Sequence, residues 1–220
     1  MTLAEENYLK AIFHIEQETG KGASTSSISK SLNTRAASVS DMLRKLAEKK
    51  LISYEKYYGA NLTNKGRHIA IMTIRRHRLW ETFLVEKLNF GWDEVHEVAE
   101  DLEHIKSDQL INALDTFLGY PELDPHGDPI PDANGNWQKI DKKTLSECQE
   151  NDQGTIVGVK DSSAAFLKLL DKRDISIGST FKIDSIESFD HSIHLNIGDQ
   201  FLLLTKKLAD NIFVSIVQQP

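Results

Sequence analysis

The 220-residue chain is 40% apolar, carries one cysteine and has a formal net charge of −7. Its longest charge-free apolar runs, such as Ile69–Ile74 and Ile212–Val217, are far short of the ~20 residues of a membrane span. One cysteine cannot staple a fold, and Glu5 and Glu6 stand where a basic-then-apolar leader would be. A cytoplasmic, reducing setting is therefore the expectation. The acidic total argues against a polyanionic partner only until the chain is divided. Residues 1–78 hold 14 basic and 7 acidic side chains, a surplus of +7; residues 79–220 carry −14.

In chain order, Leu3 to Glu18 is the first helix, with Leu3, Ala4, Tyr8, Ala11, Ile12 and Ile15 at one-face spacing. Thr2 and Glu5 make a capping box before it, and Gly20 and Gly22 end it. A short helix, Thr25 to Leu32, and the break Asn33–Thr34 precede a longer helix, Ala36 to Lys50, with Val39, Met42, Leu43 and Leu46 inward. This is a helix-turn-helix pattern. Leu51–Tyr58 and Asn61–Thr63 read as two strands around Gly59, so a wing follows the helices. The hydroxyls of Thr25, Ser26, Ser38 and Ser40 can reach phosphates, and Arg35, Arg44, Lys45 and Lys56 add positive charge. The alternative for these side chains is an ordinary solvated face.

A long helix runs from Asn64 to Leu88, Gly91–Trp92 breaks it, and a helix capped by Asp93 continues to about Ile105. Another begins at Ser107–Asp108 and ends at Gly119. Ile69, Met72, Leu110, Leu114 and Phe117 offer a dimerisation surface, or are simply core. Pro121, Pro125, Pro129 and Pro131 then mark a loop and linker. Beyond Thr144 short β segments appear, 154–159, 180–186, 192–197 and 212–217, interrupted by a helix from Ser163 to Leu170. They read as a small β-barrel. The fold class is mainly α with β. Its expected domains are a winged helix-turn-helix (1–63), a helical metal-binding and dimerisation domain (64–120), a proline-rich linker (121–143) and the barrel (144–220).

His77 and Glu81 are one helical turn apart. His96, Glu100, Glu103 and His104 follow at i, i+4, i+7 and i+8, again one face. Metal sites in helical bundles are built from such inward-facing His and carboxylate sets. The same set also admits a metallohydrolase, although no nucleophile accompanies it, or a purely structural role in a metal-independent regulator.

The motifs together resemble the metal-responsive repressors related to the diphtheria toxin repressor and MntR. They are Glu6-Asn7-Tyr8-Leu9-Lys10-Ala11-Ile12, Ser38-Val39-Ser40, residues 54–59, residues 62–66, residues 76–81, residues 100–104 and residues 124–131. The segment ending Leu208-Ala209-Asp210-Asn211-Ile212 resembles the FeoA-like barrel of longer members. The resemblance implies a cytoplasmic homodimer that binds a palindromic DNA operator in response to manganese(II) or iron(II). It implies one metal site from Asn7, Glu100, Glu103 and His104 and a second from His77, Glu81 and His96, with Asp124, His126 and Asp161 as additions. It also places Arg35, Ala37, Ser38, Ser40, Asp41 and Lys45 at the DNA.

The chain departs from the family at four informative positions. Glu100 stands where iron-type members usually have Cys, and Asp124 where streptococcal-type regulators usually have Cys. Asn7 replaces Met, Asp or Glu, and Lys10 replaces the Glu of one manganese subgroup. Every candidate ligand is thus oxygen or imidazole nitrogen, a set that suits manganese(II) first and admits iron(II). Cys148 lies outside all motifs and reads as an inert interior thiol.

Overall fold

A computed structural model describes residues 1–55, 59–138 and 140–216. The chain forms two compact units. The first holds residues 1–80, 100–117 and 131–137; the second holds 81–99, 118–130 and the chain from 138 onward.

The first unit opens with α1 (Leu3–Thr19), started by the expected capping box. Glu5 N–H donates to Thr2 Oγ1 at 3.3 Å, and Thr2 N–H donates to Glu5 Oε2 at 3.1 Å. Gly20 closes the helix in the left-handed region (φ 65°), where glycine carries no Cβ penalty. Helices α2 (Thr25–Ser31) and α3 (Ala36–Glu48) follow, with Asn33 at φ 45° in the turn between them. Strands β1 (Ile52–Glu55) and β2 (Gly59–Leu62) pair antiparallel, Ile52 opposite Leu62 and Glu55 opposite Gly59. Ala23 bridges to Ala60 beside them through two backbone hydrogen bonds of 2.8 and 2.9 Å. Leu9, Ile12, Phe13, Ile28, Val39, Leu43, Leu46, Ile52 and Ile74 share one buried core. Burial of each such side chain is worth roughly 1.5–3 kcal/mol, which offsets the small size of the helices.

Helix α4 (Asn64–Leu88) has the expected bounds and passes from the first unit into the second at Glu81. α5 (Val95–Leu102) is shorter than expected at both ends, and α6 (Asp108–Phe117) follows. Arg75 of α4 is buried, with Nη2 2.7 Å from Asp115 Oδ2, while Nε and Nη1 have no hydrogen-bond partner. Burial pushes the Asp115 carboxyl up, against the pull of Arg75. Removing Asp115 strands a buried cation, which costs roughly 3–5 kcal/mol, whereas deleting the charge itself costs less. Asp115→Ala is therefore expected to lower unfolding stability, measured by equilibrium denaturation, by more than Arg75→Met does.

The second unit is built on a six-stranded antiparallel sheet of order β3-β8-β4-β5-β6-β7. The strands are β3 (Lys143–Thr144), β4 (Gln153–Val159), β5 (Thr180–Ile186), β6 (Ile193–Ile197), β7 (Gln200–Leu204) and β8 (Ile212–Ile216). Among the described residues β3 and β7 stand at the two ends of this order without pairing to each other, so the sheet is open where a barrel was expected. α7 (Ala164–Asp171) and α8 (Lys206–Ala209) pack Phe166, Leu167, Leu170 and Leu208 into its core. Cys148 is buried in the same core, and burial pushes its thiol up to about 11, as suits an inert thiol. No helix among the described residues is long and apolar enough to cross a membrane.

Candidate metal centre

In the second unit, the proline loop folds into a tight cradle around one carboxylate. Asp124 Oδ1 accepts the backbone N–H groups of His126 (2.8 Å) and Asp128 (3.0 Å), and Asp124 N–H donates to Asp128 O. The loop docks on β4 through Val159 N–H to His126 O, 3.0 Å. Its seat there requires Gly127, which has φ +82° and whose absent Cβ would lie 2.0 Å from Val157 O. Asp124 and His126 are consequently buried, 7% and 4% exposed, rather than displayed on a solvated loop.

Glu81, 2% exposed near the end of α4, faces this loop. Its Oε2 is 3.6 Å from His126 Nδ1, and its Oε1 is 3.4 Å from His96 Nδ1. Glu81, Asp124 and His126 present one ligand atom each, all within 4.8 Å of one another. His126 Nε2 lies 2.8 Å from the Trp92 carbonyl, which only accepts, so that nitrogen carries the hydrogen and Nδ1 is turned to the carboxylates. A histidine whose far nitrogen is fixed by a backbone carbonyl is the usual arrangement of a metal ligand. Burial alone would depress the His126 pKa, but Glu81 and then Asp124 overcome it and raise it to about 9. Two buried carboxylates and an oriented imidazole make an anionic donor set that fits a hard or borderline divalent ion.

The second group lies in the first unit and differs from the sequence expectation. α5 ends at Leu102, so Glu103 and His104 sit in the turn after it, not on a continued helical face. The set His96, Glu100, Glu103 and His104 is accordingly divided: His96 turns to Glu81, while Glu103 and His104 turn to α1 and to His77. Glu103 is fully buried; its Oε2 is 2.7 Å from His77 Nδ1, and Lys10 Nζ donates to both its oxygens at 2.8 Å. Burial raises the Glu103 carboxyl, but His77 and Lys10 outweigh it and hold it below the ordinary value. His104 Nδ1 is 2.7 Å from Glu6 Oε2, and Glu100, half exposed, is 3.5 Å from Lys10 Nζ. Asn7 Oδ1 is buried without a hydrogen-bond partner. Asp161 is exposed and accepts Ser163 N–H at the entry to α7, in neither the Glu81 group nor this one.

The sequence reading passed over Glu6, Lys10 as a member of the cluster, and the Trp92 carbonyl. Glu6 could have been found as the acidic residue adjoining Asn7, one helical turn before Lys10. The Trp92 carbonyl, a backbone group, leaves no residue-type signal.

On the winged part of the first unit, Arg35, Ala37, Ser38, Asp41 and Lys45 are exposed on the side of α3 opposite Val39, Leu43 and Leu46. Ser40, half-buried, donates to Ala36 O at 3.0 Å, and Asp41 pairs with Arg44 at 3.3 Å. Ser26 is exposed and Thr25 half-buried at the start of α2, which Ser24 rather than either of them caps. Lys56 lies outside the described residues.

Three family models match the chain in succession. They are an iron-dependent repressor N-terminal DNA-binding domain over residues 1–60, an iron-dependent repressor metal-binding and dimerisation domain over 63–132, and a FeoA domain over 143–216. The transcriptional regulator MntR of Oceanobacillus iheyensis is 31% identical over 119 residues, which cover 54% of this chain and 80% of that one. The iron-dependent repressor IdeR of Mycobacterium tuberculosis is 33% identical over 126 residues, 57% of this chain and 54% of that one. A solved manganese-dependent transcriptional repressor in complex with manganese superposes with a TM-score of 0.87 at 34% identity, covering 97% of this chain and 100% of that one. The first curated relatives are longer proteins; the chain spans 19% of one and 54% of the next.

Proposed function

The chain belongs to the iron-dependent repressor family, the family of IdeR and MntR, and from that premise we propose that it is a metal-dependent, DNA-binding transcriptional repressor of metal-ion homeostasis genes. The observation that carries the reading is the buried Glu81–Asp124–His126 group in a chain whose other unit exposes Arg35, Arg44 and Lys45 along its recognition helix. His77 precedes Glu81 by one turn, and together with His96 it would complete the first coordination sphere. This donor set contains no thiolate, which favours manganese(II), with iron(II) the alternative. The bound ion would supply positive charge among carboxylates that otherwise repel one another, and the chain's own groups hold and orient it. Relatives named as an iron-dependent repressor and as a manganese-dependent repressor support this choice of ions, and none of those described is named as an enzyme.

DNA recognition would fall to α2 and α3: Arg35 and Lys45 toward phosphates, with Ser38, Ala37 and Asp41 toward base edges, where an acidic side chain accepts from cytosine N4. Thr25, Ser26, Ser40 and Lys56 would contact the backbone. Leu110 and Phe117, 41% and 65% exposed, offer α6 to a second copy, whereas Leu114 turns inward. A homodimer matches a palindromic operator by symmetry. We read the domain limits at 63, 120 and 143, the FeoA-like sheet as a barrel left open between β3 and β7, and the location as cytoplasmic. Coupling of ~1–3 kcal/mol between metal and operator would change DNA affinity about 5–150-fold.

The test is selection from a random duplex pool by the purified chain, with manganese(II) or iron(II) under anaerobic conditions. A palindrome enriched only with metal supports the reading; enrichment unaffected by chelator, or metal-dependent hydrolysis in place of binding, overturns it. Arg35→Ala and Lys45→Ala are each expected to weaken binding to every sequence and to reduce the salt slope by about 0.9, without altering metal uptake.

A further inference from the structure

The proline loop that carries Asp124 and His126 continues directly into a second closed turn. The loop is shut at its exit by Ile130 N–H, which donates to Glu122 O at 2.8 Å. Asp132 closes the next turn: its N–H donates to Asn136 O at 2.7 Å, and its Oδ1 accepts Asn134 N–H and Asn136 N–H, both at 2.8 Å. One residue, Pro131, stands between these turns, and its ring fixes φ. The stretch from Asp124 to Asn136 therefore has little slack. Its second turn lies on α4, where the absent Cβ of Gly135 would be 3.3 Å from Ile71 Cγ2. The turn ends by setting Trp137 into the first unit, eleven residues after His126. The indole packs half-buried on that unit's core, its centroid 5.4 Å from the Phe13 ring of α1 at 61°. The Arg78 guanidinium lies over it, 5.6 Å from the centroid. Three residues after Phe13, Glu16 Oε1 accepts Leu62 N–H of β2 at 2.7 Å, and Glu16 Oε2 pairs with Arg67 of α4. Contacts thus run without a break from Trp137 through the second half of α1 to the wing.

We propose that Trp137 is a positioning residue, an aromatic knob through which the state of the Glu81–Asp124–His126 group reaches α1 and the wing along one stiff stretch of chain. This role rests on the metal-dependent repressor reading above and adds a route to it. Coupling between two sites needs a packed element whose placement both ligands bias. Asp132, Ala133, Asn134 and Asn136 are exposed, so Trp137 is the side chain that fastens this stretch to α1. A flat indole between a ring edge and a guanidinium has a defined seat, with attraction on both sides. An ion that fixes Asp124 and His126 fixes the start of the stretch, and the seat of Trp137 fixes its end.

The test is Trp137→Ala in the full chain, with fluorescence anisotropy on the selected palindrome in manganese(II) and in chelator. The unaltered chain is expected to bind about 5–150-fold more tightly with the ion, and the variant about equally in both conditions. Equilibrium dialysis is expected to give the same manganese(II) stoichiometry for the two. Trp137→Phe, which keeps an aromatic ring, is expected to restore most of the ratio. A role confined to folding would lower both affinities alike, so an unchanged ratio in the folded alanine variant overturns the proposal. Loss of manganese uptake by that variant also overturns it, because Trp137 then holds the metal group itself. Trp137→Leu is judged in the same way if the alanine variant fails to fold by circular dichroism. Failure of both to fold makes the residue structural and overturns the positioning role. No effect of manganese on the unaltered chain overturns the repressor reading instead, and this role with it.

Discussion

Glu81→Gln abolishes metal-dependent operator binding and lowers manganese affinity more than ~100-fold, while the metal-free chain keeps its fold. The expectation follows from the position of this side chain, 2% exposed, with Oε1 toward His96 and Oε2 toward His126. Altering groups that merely orient metal ligands costs ~10–100-fold in affinity, and removing a ligand's charge costs more. Glutamine keeps the volume and one acceptor, so the packing around α4 is preserved. The charge that does most to raise the His126 pKa is lost with the carboxylate. Isothermal titration with manganese(II) and a circular dichroism melt on the same preparation measure the two halves of the statement. Wild-type affinity in the variant would remove Glu81 from the site; a large fall in the metal-free melting temperature would make its role structural instead.

Much of the architecture could be read in advance because local signals and burial agree. The capping box at Thr2, the left-handed Gly20 and the bounds of α4 each rest on residues within a few positions of one another. The inner face of α3 was legible for a similar reason, since Val39, Leu43 and Leu46 repeat at helical spacing and all are fully buried. Strand β7 was missed although Gly198-Asp199 joins it to β6 as a two-residue turn, with Gly198 at φ +55°. Phe201 and Leu203 on it are exposed, so its apolar run lacks the alternation that marks a half-buried strand.

The ligand set shows a deeper limit. His96 and Glu103 are seven residues apart, which a continuous helix would place on one face. The chain leaves the helix after Leu102, so Glu103 no longer continues the face of His96, and the division between the two units falls within α5, between Ala99 and Glu100. Spacing alone identifies residue types able to bind metal, but it cannot follow a helix end. It also passes over the pairing of Lys10 with Glu103 and Glu100. The charge split of the sequence is likewise refined. The +7 of residues 1–78 includes Lys10 and the buried Arg75, which are spent internally and are not offered to DNA.

Gly127→Ala is expected to disable the metal centre without touching a ligand. The residue has φ +82°, a conformation that L side chains rarely adopt, and strain of this kind costs of order 1–3 kcal/mol. The larger obstacle is steric. A Cβ would lie 2.0 Å from Val157 O and 2.5 Å from Gly158 Cα, both backbone atoms of β4 that cannot swing aside. The loop must lift, which breaks the 3.0 Å bond from Val159 N–H to His126 O and carries His126 away from Glu81 and from the Trp92 carbonyl. Strain and overpacking together amount to roughly 2–6 kcal/mol. Gly178→Ala is the matched control: φ is +89° in the same unit, but nothing stands within 4 Å of its Cβ. The control should lose about 1 kcal/mol in equilibrium denaturation and bind manganese normally, while Gly127→Ala loses both stability and metal. Equal behaviour of the two would mean that backbone conformation, and not the seat of the loop against β4, is what glycine provides at 127.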